Sequence, residues 1–118
     1  MATGKPYEDL AVQHLTRAGM TILERNYRSK LGEIDIIGKL ENHLIFVEVR
    51  YRSNPRYASA AQSVTSAKQR RIIRTAQFYL QRRWRGREPA CRFDVIAIEP
   101  GITPDQTEVQ WLQNAFTL

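Results

Sequence analysis

The chain reads as an α/β or α+β protein with helices packed on a sheet, and three observations predict this. Short runs rich in β-branched and apolar residues stand at Glu33 to Lys39, Leu44 to Tyr51 and Cys91 to Ile98. Helical periodicity is confined to two stretches, about Tyr7 to Ala18 and about Val64 to Arg83. Turn-forming residues punctuate the runs at Gly19, Leu31-Gly32, Glu41-Asn42 and Pro100-Gly101. Helix, strands, helix, strands is an order that excludes a helical bundle and a barrel, and it predicts a mixed central sheet flanked by helices.

Each element has its own local reason. Pro6 suits the first turn of a helix, and Gly19 ends the one that begins near Tyr7. Ile22 to Arg28 follows as a short strand, and Leu31-Gly32 breaks it from the β-branched run Glu33 to Lys39. Leu44 to Tyr51 is apolar on both faces, as a central strand should be. Arg52 to Ser63, with Asn54-Pro55, reads as a loop. The long helix after it ends at Arg85-Gly86-Arg87-Glu88-Pro89, before the strand Cys91 to Ile98. A short strand at Val109 to Leu112 and an irregular tail complete the pattern.

Composition narrows the class. The 118 residues are 42% hydrophobic and 25% charged, the balance of a globular chain, and a single domain over 1–118 is expected. No apolar run approaches the ~20 residues of a membrane span, and the first residues hold no signal-peptide core, so a cytoplasmic protein with no membrane partner is expected. A single cysteine, Cys91, excludes an internal disulfide and a multi-cysteine zinc site. His14 and His43 are isolated from one another and carry no metal or catalytic pattern.

The chemistry lies in two features. If the turn after the second strand is centred on Glu41-Asn42, Asp35 falls directly opposite Glu48, with Cβ atoms ~5 Å apart on one face. Like charges so placed destabilise a sheet unless something compensates them, and Mg2+ or Mn2+, which prefer carboxylate oxygen, would do so. Alternation puts Arg50 on the same face, able to reach the same phosphate or to bridge the acids on a solvated surface. A register slip of one residue would turn Glu48 away. Glu8 shares the apolar stripe of the first helix with Ala11, Val12 and Leu15, which makes it either a third metal-associated acid or a first-turn acid answering the helix dipole.

The second feature is charge. Between Glu48 and Glu88 lie eleven of the eighteen basic side chains and none of the twelve acidic ones. Fourteen of the eighteen are arginine, whose planar fork binds phosphate bidentately. Lys68, Arg70, Arg71 and Arg74 belong to the polar circumference of the long helix, and Arg52 and Arg56 to the loop before it; all are candidate phosphate contacts. Gln62 and Lys68 are also placed to approach the acids. Trp84, among arginines, can stack on an unpaired base or cap the core. Asp94, on an apolar strand, either supports the acids from behind or holds a basic neighbour. Trp111 and Phe116 close the core or serve a homodimer.

An Asp, then Glu-x-Arg thirteen positions on, behind a helix bearing Glu, resembles the PD-(D/E)xK, or restriction-endonuclease-like, superfamily. More closely, the chain resembles the YraN-like family (uncharacterised protein family 0102), a bacterial family of predicted endonucleases. The resemblance rests on Glu8-Asp9-Leu10-Ala11, Ile22 to Arg28, Gly32-Glu33-Ile34-Asp35-Ile36-Ile37, Phe46-Val47-Glu48-Val49-Arg50, Arg92-Phe93-Asp94-Val95-Ile96 and Asn114-Ala115-Phe116. It implies a restriction-endonuclease-like fold, Asp35 and Glu48 as metal ligands and catalytic residues, Glu8 as the helix-borne acid, and Arg50 at the motif's lysine. Arginine at that position can stabilise charge but cannot accept a proton. The expected activity is phosphodiester hydrolysis dependent on Mg2+ or Mn2+, with nucleic acid, DNA foremost, as partner. Two alternatives accompany it: a nucleic-acid-binding module without turnover, and an adaptor whose basic face meets an acidic protein.

Overall fold

A computed structural model of the chain describes residues 5–52, 60–103 and 105–117. The first helix, α1, spans Lys5–Arg17 and buries Ala11 and Leu15. Gly19, at φ +101°, closes it in a left-handed conformation that costs glycine little, and the Met20 N–H reaches back to the Leu15 carbonyl at 3.0 Å. Three strands follow, β1 (Thr21–Ser29), β2 (Gly32–Leu40) and β3 (His43–Tyr51). A short helix α2 (Ala60–Ser63) and the long α3 (Ser66–Arg83) lead to β4 (Ala90–Pro100) and β5 (Thr107–Phe116).

The five strands form one sheet in the order β1-β2-β3-β4-β5. The β3 and β4 strands run parallel, joined across α2 and α3, whereas the other neighbours are antiparallel. A parallel pair demands such a crossover, which places α3 against the sheet. The helix packs Ile72, Ala76 and Tyr79 onto the face formed by Ile37, Phe46 and Val95. The opposite face carries Ile36, Ile45 and Ile96, covered by Ala11 and Leu15 of α1. This five-stranded mixed sheet between two helices is the expected α/β architecture and fits a restriction-endonuclease-like fold.

Two expected boundaries move. The long helix begins at Ser66, not near Val64, because Thr65 caps it: its Oγ1 accepts the Lys68 N–H at 3.2 Å. The last strand covers ten residues in place of Val109 to Leu112 alone. It continues past a bulge at which Asn114 takes φ +53° and the pairing shifts between Phe93 and Val95. Phe116 then pairs with Phe93 and stacks on its ring at 5.1 Å between centroids. Phe116 and Trp111 therefore belong to the core packing, on opposite faces of the sheet. Trp84 packs half-buried against the α3 side of the core while its backbone N–H donates to the Leu80 carbonyl at 2.9 Å.

Asp94 explains how the β5 bulge is held. It is fully buried and accepts four donors: Arg92 Nε at 2.9 Å and Nη2 at 3.0 Å, Trp111 Nε1 at 2.8 Å, and the Asn114 N–H at 2.9 Å. It thus holds a basic neighbour and supplies the acceptor that a bulged backbone N–H lacks. Asp94→Ala should destabilise the fold by roughly 3–5 kcal/mol, because it leaves the half-covered Arg92 and two other donors without their carboxylate. Urea denaturation checks this, and a loss below ~1 kcal/mol would show that β5 holds its bulge without Asp94.

Candidate metal centre and basic face

The acid pair is made by a tight hairpin. Leu40 pairs with His43, and the ladder runs in that register to Ile36 opposite Val47. Glu41, at φ +54°, turns the chain beside Asn42. The paired ladder ends at Ile36 and Val47, one position short of Asp35 and Glu48, whose carboxyl groups are nevertheless close enough to interact directly. There the strands begin to part. Ile34 and Ile37 pack on the α3 side and Ile36 on the α1 side, so the two-residue alternation breaks across Asp35. Asp35 Oδ2 accepts the Val49 N–H at 2.8 Å, a side chain taking the place of the strand carbonyl that separation removes.

Glu48 is 5% exposed. Its Oε2 lies 3.7 Å from Arg50 Nε and 3.8 Å from Lys68 Nζ, which comes from the first turn of α3. Arg50 Nη2 donates to the Ser63 carbonyl at 2.8 Å, which anchors the guanidinium to the end of α2, and among the described residues its buried Nε meets no hydrogen-bond acceptor. Burial, and then the adjacent Asp35 charge, push the Glu48 carboxyl up to about 8, against the opposing pull of Lys68 and Arg50. Burial also raises Asp35, with the Val49 N–H and a hydrogen bond to Glu48 opposing. Two carboxyls in one poorly hydrated place cannot both ionise cheaply.

This donor set suits a small divalent cation. Two hard oxygen ligands face each other, their mutual repulsion is what a dication relieves, and Mg2+ commonly binds through one or two carboxylates while keeping several waters. The third expected acid is not brought to them. Among the described residues, no three His, Cys, Asp or Glu side chains lie close enough to hold one ion. Glu8 Oε1 accepts from Asn26 Nδ2 at 3.0 Å and lies 3.5 Å from Arg25 Nη2. Its place on the apolar stripe of α1 is satisfied by β1, because Asn26 sits at φ +53° and presents its amide to the helix.

Of the expected phosphate contacts, Arg70, Arg71 and Arg74 are exposed along α3, Arg52 is half-buried just beyond β3, and Arg56 lies outside the described residues. Lys68 belongs to the acid pair as much as to the helix surface. Its position three residues after the capping Thr65 is the signal that sets it at the helix start, facing β3. Arg83 is partly neutralised, since Glu24 Oε2 stands 3.7 Å from its Nη1.

The model of Uncharacterised protein family UPF0102 matches residues 7–98. The chain belongs to the UPF0102 family. It is similar to a UPF0102 protein of Saccharophagus degradans, 46% identical over 98% of this chain and 93% of that one. A UPF0102 protein of Vibrio parahaemolyticus is 43% identical over 97% and 91%, and one of Ralstonia nicotianae is 46% identical over 98% and 86%. The match extends over α1, the acid hairpin, α3 and most of β4, so membership in UPF0102 covers every residue of the candidate centre. No helix among the described residues is long and apolar enough to cross a membrane.

The Glu48 environment has a pH signature. Its ordinary value is 4.5 and the folded value is the higher one, so the protonated acid stabilises the fold fully below pH 4.5 and this contribution is lost as pH rises through about 8. Without divalent cations, the wild type should lose melting temperature across that interval. Glu48→Gln, neutral throughout, should lose distinctly less. Parallel melting curves for the two proteins from pH 4.5 to pH 9 would mean that Glu48 ionises in the fold as it does in water.

Proposed function

We propose that the protein binds nucleic acid and hydrolyses its phosphodiester bonds with the help of Mg2+ or Mn2+. The observation that carries this reading is the pair of buried Glu48 and half-buried Asp35, faced by Lys68 and Arg50, at the head of a helix without acids. Asp35 and Glu48 would hold the cation, which supplies Lewis-acid stabilisation of a phosphate and makes water a competent nucleophile near neutral pH. The Val49 N–H fixes the Asp35 carboxylate, and Glu48, whose protonated form burial favours, would have to give up its proton to serve as a ligand. Water adds its oxygen to phosphorus and gives up one proton to solvent, and the ester oxygen departs with the bonding pair and takes up one proton from solvent as alcohol. Arg50 and Lys68 stabilise the charge that gathers on the phosphoryl oxygens. Arg50 cannot serve as a base, but Lys68 brings an ammonium to within 3.8 Å of Glu48 from another element.

A second reading has its own support. Lys68 and Arg50 already oppose the charge of Glu48, which suits a site that binds phosphate without turnover. A panel of duplex, single-stranded, flapped and four-way DNA, and RNA, with Mg2+ or Mn2+, separates the two. Wild type should cut at least one substrate. Asp35→Asn with Glu48→Gln, and separately Lys68→Ala, should lower the rate by ~10²-fold or more while the double carboxylate variant still binds. Binding with no cutting on any substrate would leave the binding module, and no binding at all would overturn both readings.

The basic helix makes a quantitative demand. Replacing Arg70, Arg71 and Arg74 together by Ala should weaken duplex binding and flatten the dependence of log affinity on log salt by about 2–3. Titration at several salt concentrations reads that slope directly, and an unchanged slope removes this face of α3 from the contact surface.

A further inference from the structure

A groove of about 640 Å3 opens between α3 and the β1–β2 turn, lined by Tyr27, Arg28, Lys30, Leu31, Phe78 and Arg82. Its floor is aromatic and its rim cationic. The Tyr27 ring is fixed edge-on against Tyr79, 5.1 Å between centroids, and the Arg82 guanidinium lies 5.3 Å from the centre of the Phe78 ring. Leu31 is 43% exposed and adds apolar surface at the edge. Arg28 is held over the turn by Glu33, at 3.2 Å. The volume lies in the range of small-molecule sites.

Position gives the groove its meaning. Lys68, Arg71, Phe78 and Arg82 recur along α3 at three- and four-residue spacing, with buried Thr75 between them, and so share one side of the helix. The stripe starts at the acid pair and ends at the groove. Ten residues of helix from Lys68 to Phe78 are about 15 Å, and four residues of strand from Asp35 to Leu31 are about 14 Å. Both elements therefore place the groove about 15 Å from the acids, a distance that a few nucleotides of one strand can span. The approach of helix and strand is set at Gly32, where a Cβ would stand 3.0 Å from Thr75 Oγ1 and the backbone has φ +152°.

We propose that this groove is a subsite for an unpaired base of the nucleic acid whose phosphate backbone lies at the acid pair. The inference rests on the phosphodiester reading above and deepens it, by assigning a substrate with single-stranded nucleotides beside the scissile bond. A base in a duplex has both faces covered by its neighbours, whereas an unpaired one can lay a face on Phe78 and the guanidinium plane of Arg82. Lys30 and Arg28 meet the adjoining phosphates, and Arg71 bridges the interval to Lys68.

The test measures binding of a fluorescein-labelled single-stranded oligothymidylate and of a blunt duplex of equal length, in Ca2+ to separate affinity from cleavage. Phe78→Leu keeps an apolar side chain under the helix but removes the ring. It should weaken single-strand binding by roughly fivefold to a hundredfold, the range of one base–aromatic stack, with duplex affinity unchanged. Phe78→Trp, as the control for folding, should bind the single strand at least as well as wild type. Mn2+ binding to the acid pair should be the same in all three proteins. Equal single-strand affinity in wild type and Phe78→Leu, with nucleic acid still bound, would overturn the subsite and leave the phosphodiester reading standing. Failure of the wild type to bind either oligonucleotide would instead remove that reading, and the subsite with it.

Discussion

The structure turns on two carboxylates kept together where water is scarce. Asp35 and Glu48 come from adjacent strands of one hairpin, and burial raises both. Such a pair survives only with compensation, because a like-charged pair in a sheet repels and a buried anion is costly. The compensation arrives from three directions: the Val49 N–H from the strand itself, Arg50 two residues along, and Lys68 from the start of α3. Each has a structural consequence. The Val49 bond needs β2 and β3 to separate at Asp35. The Arg50 side chain needs α2 to end where the Ser63 carbonyl can take its Nη2. Lys68 needs α3 to begin at Ser66, which Thr65 ensures by capping it.

The other face is organised by β1. Asn26 takes φ +53° and gives its amide to Glu8, so that the first turn of α1 is tied to the sheet. Arg25 adds a bond to Asp9 at 2.7 Å. The α1 side thus ties its first-turn acids to β1. On the α3 side Lys68 meets Glu48 and Arg83 meets Glu24, while Arg70, Arg71 and Arg74 are exposed on a helix that has no acids. Both helices pack apolar side chains on the sheet and form ion pairs with it, and the second face differs in its excess of exposed arginine. A polyanion would meet the second face, with the acid pair at its edge and the aromatic groove further along it.

Some of this was legible in the residues alone. Runs of β-branched residues, helical periodicity and a glycine stop are local signals, and they located the strands and both main helices to within a few positions. The nearness of Asp35 and Glu48 was also local, because a two-residue turn fixes the register of the hairpin as far as Ile36 and Val47, the positions next to the two acids. Asp94 could be read as the partner of a basic neighbour, although only the folded chain adds Trp111 Nε1 and the Asn114 N–H to its four bonds.

What only the tertiary structure decided was which distant residues complete each local feature. Lys68 reaches Glu48 because the crossover between parallel strands returns the helix start to the end of β3. Glu8 turns to Asn26 and away from the acids because a left-handed residue in β1 offers it an amide. Phe78 and Leu31, which pattern alone assigns to an ordinary helix face and a turn, become two walls of one groove because Gly32 lets the strand approach α3 closely. Hydrophobic periodicity and turn geometry act over a few residues and are written in order along the chain. The meeting of side chains across elements depends on strand twist, helix placement and small steric allowances summed over the whole packing, and so it exists only in the folded molecule.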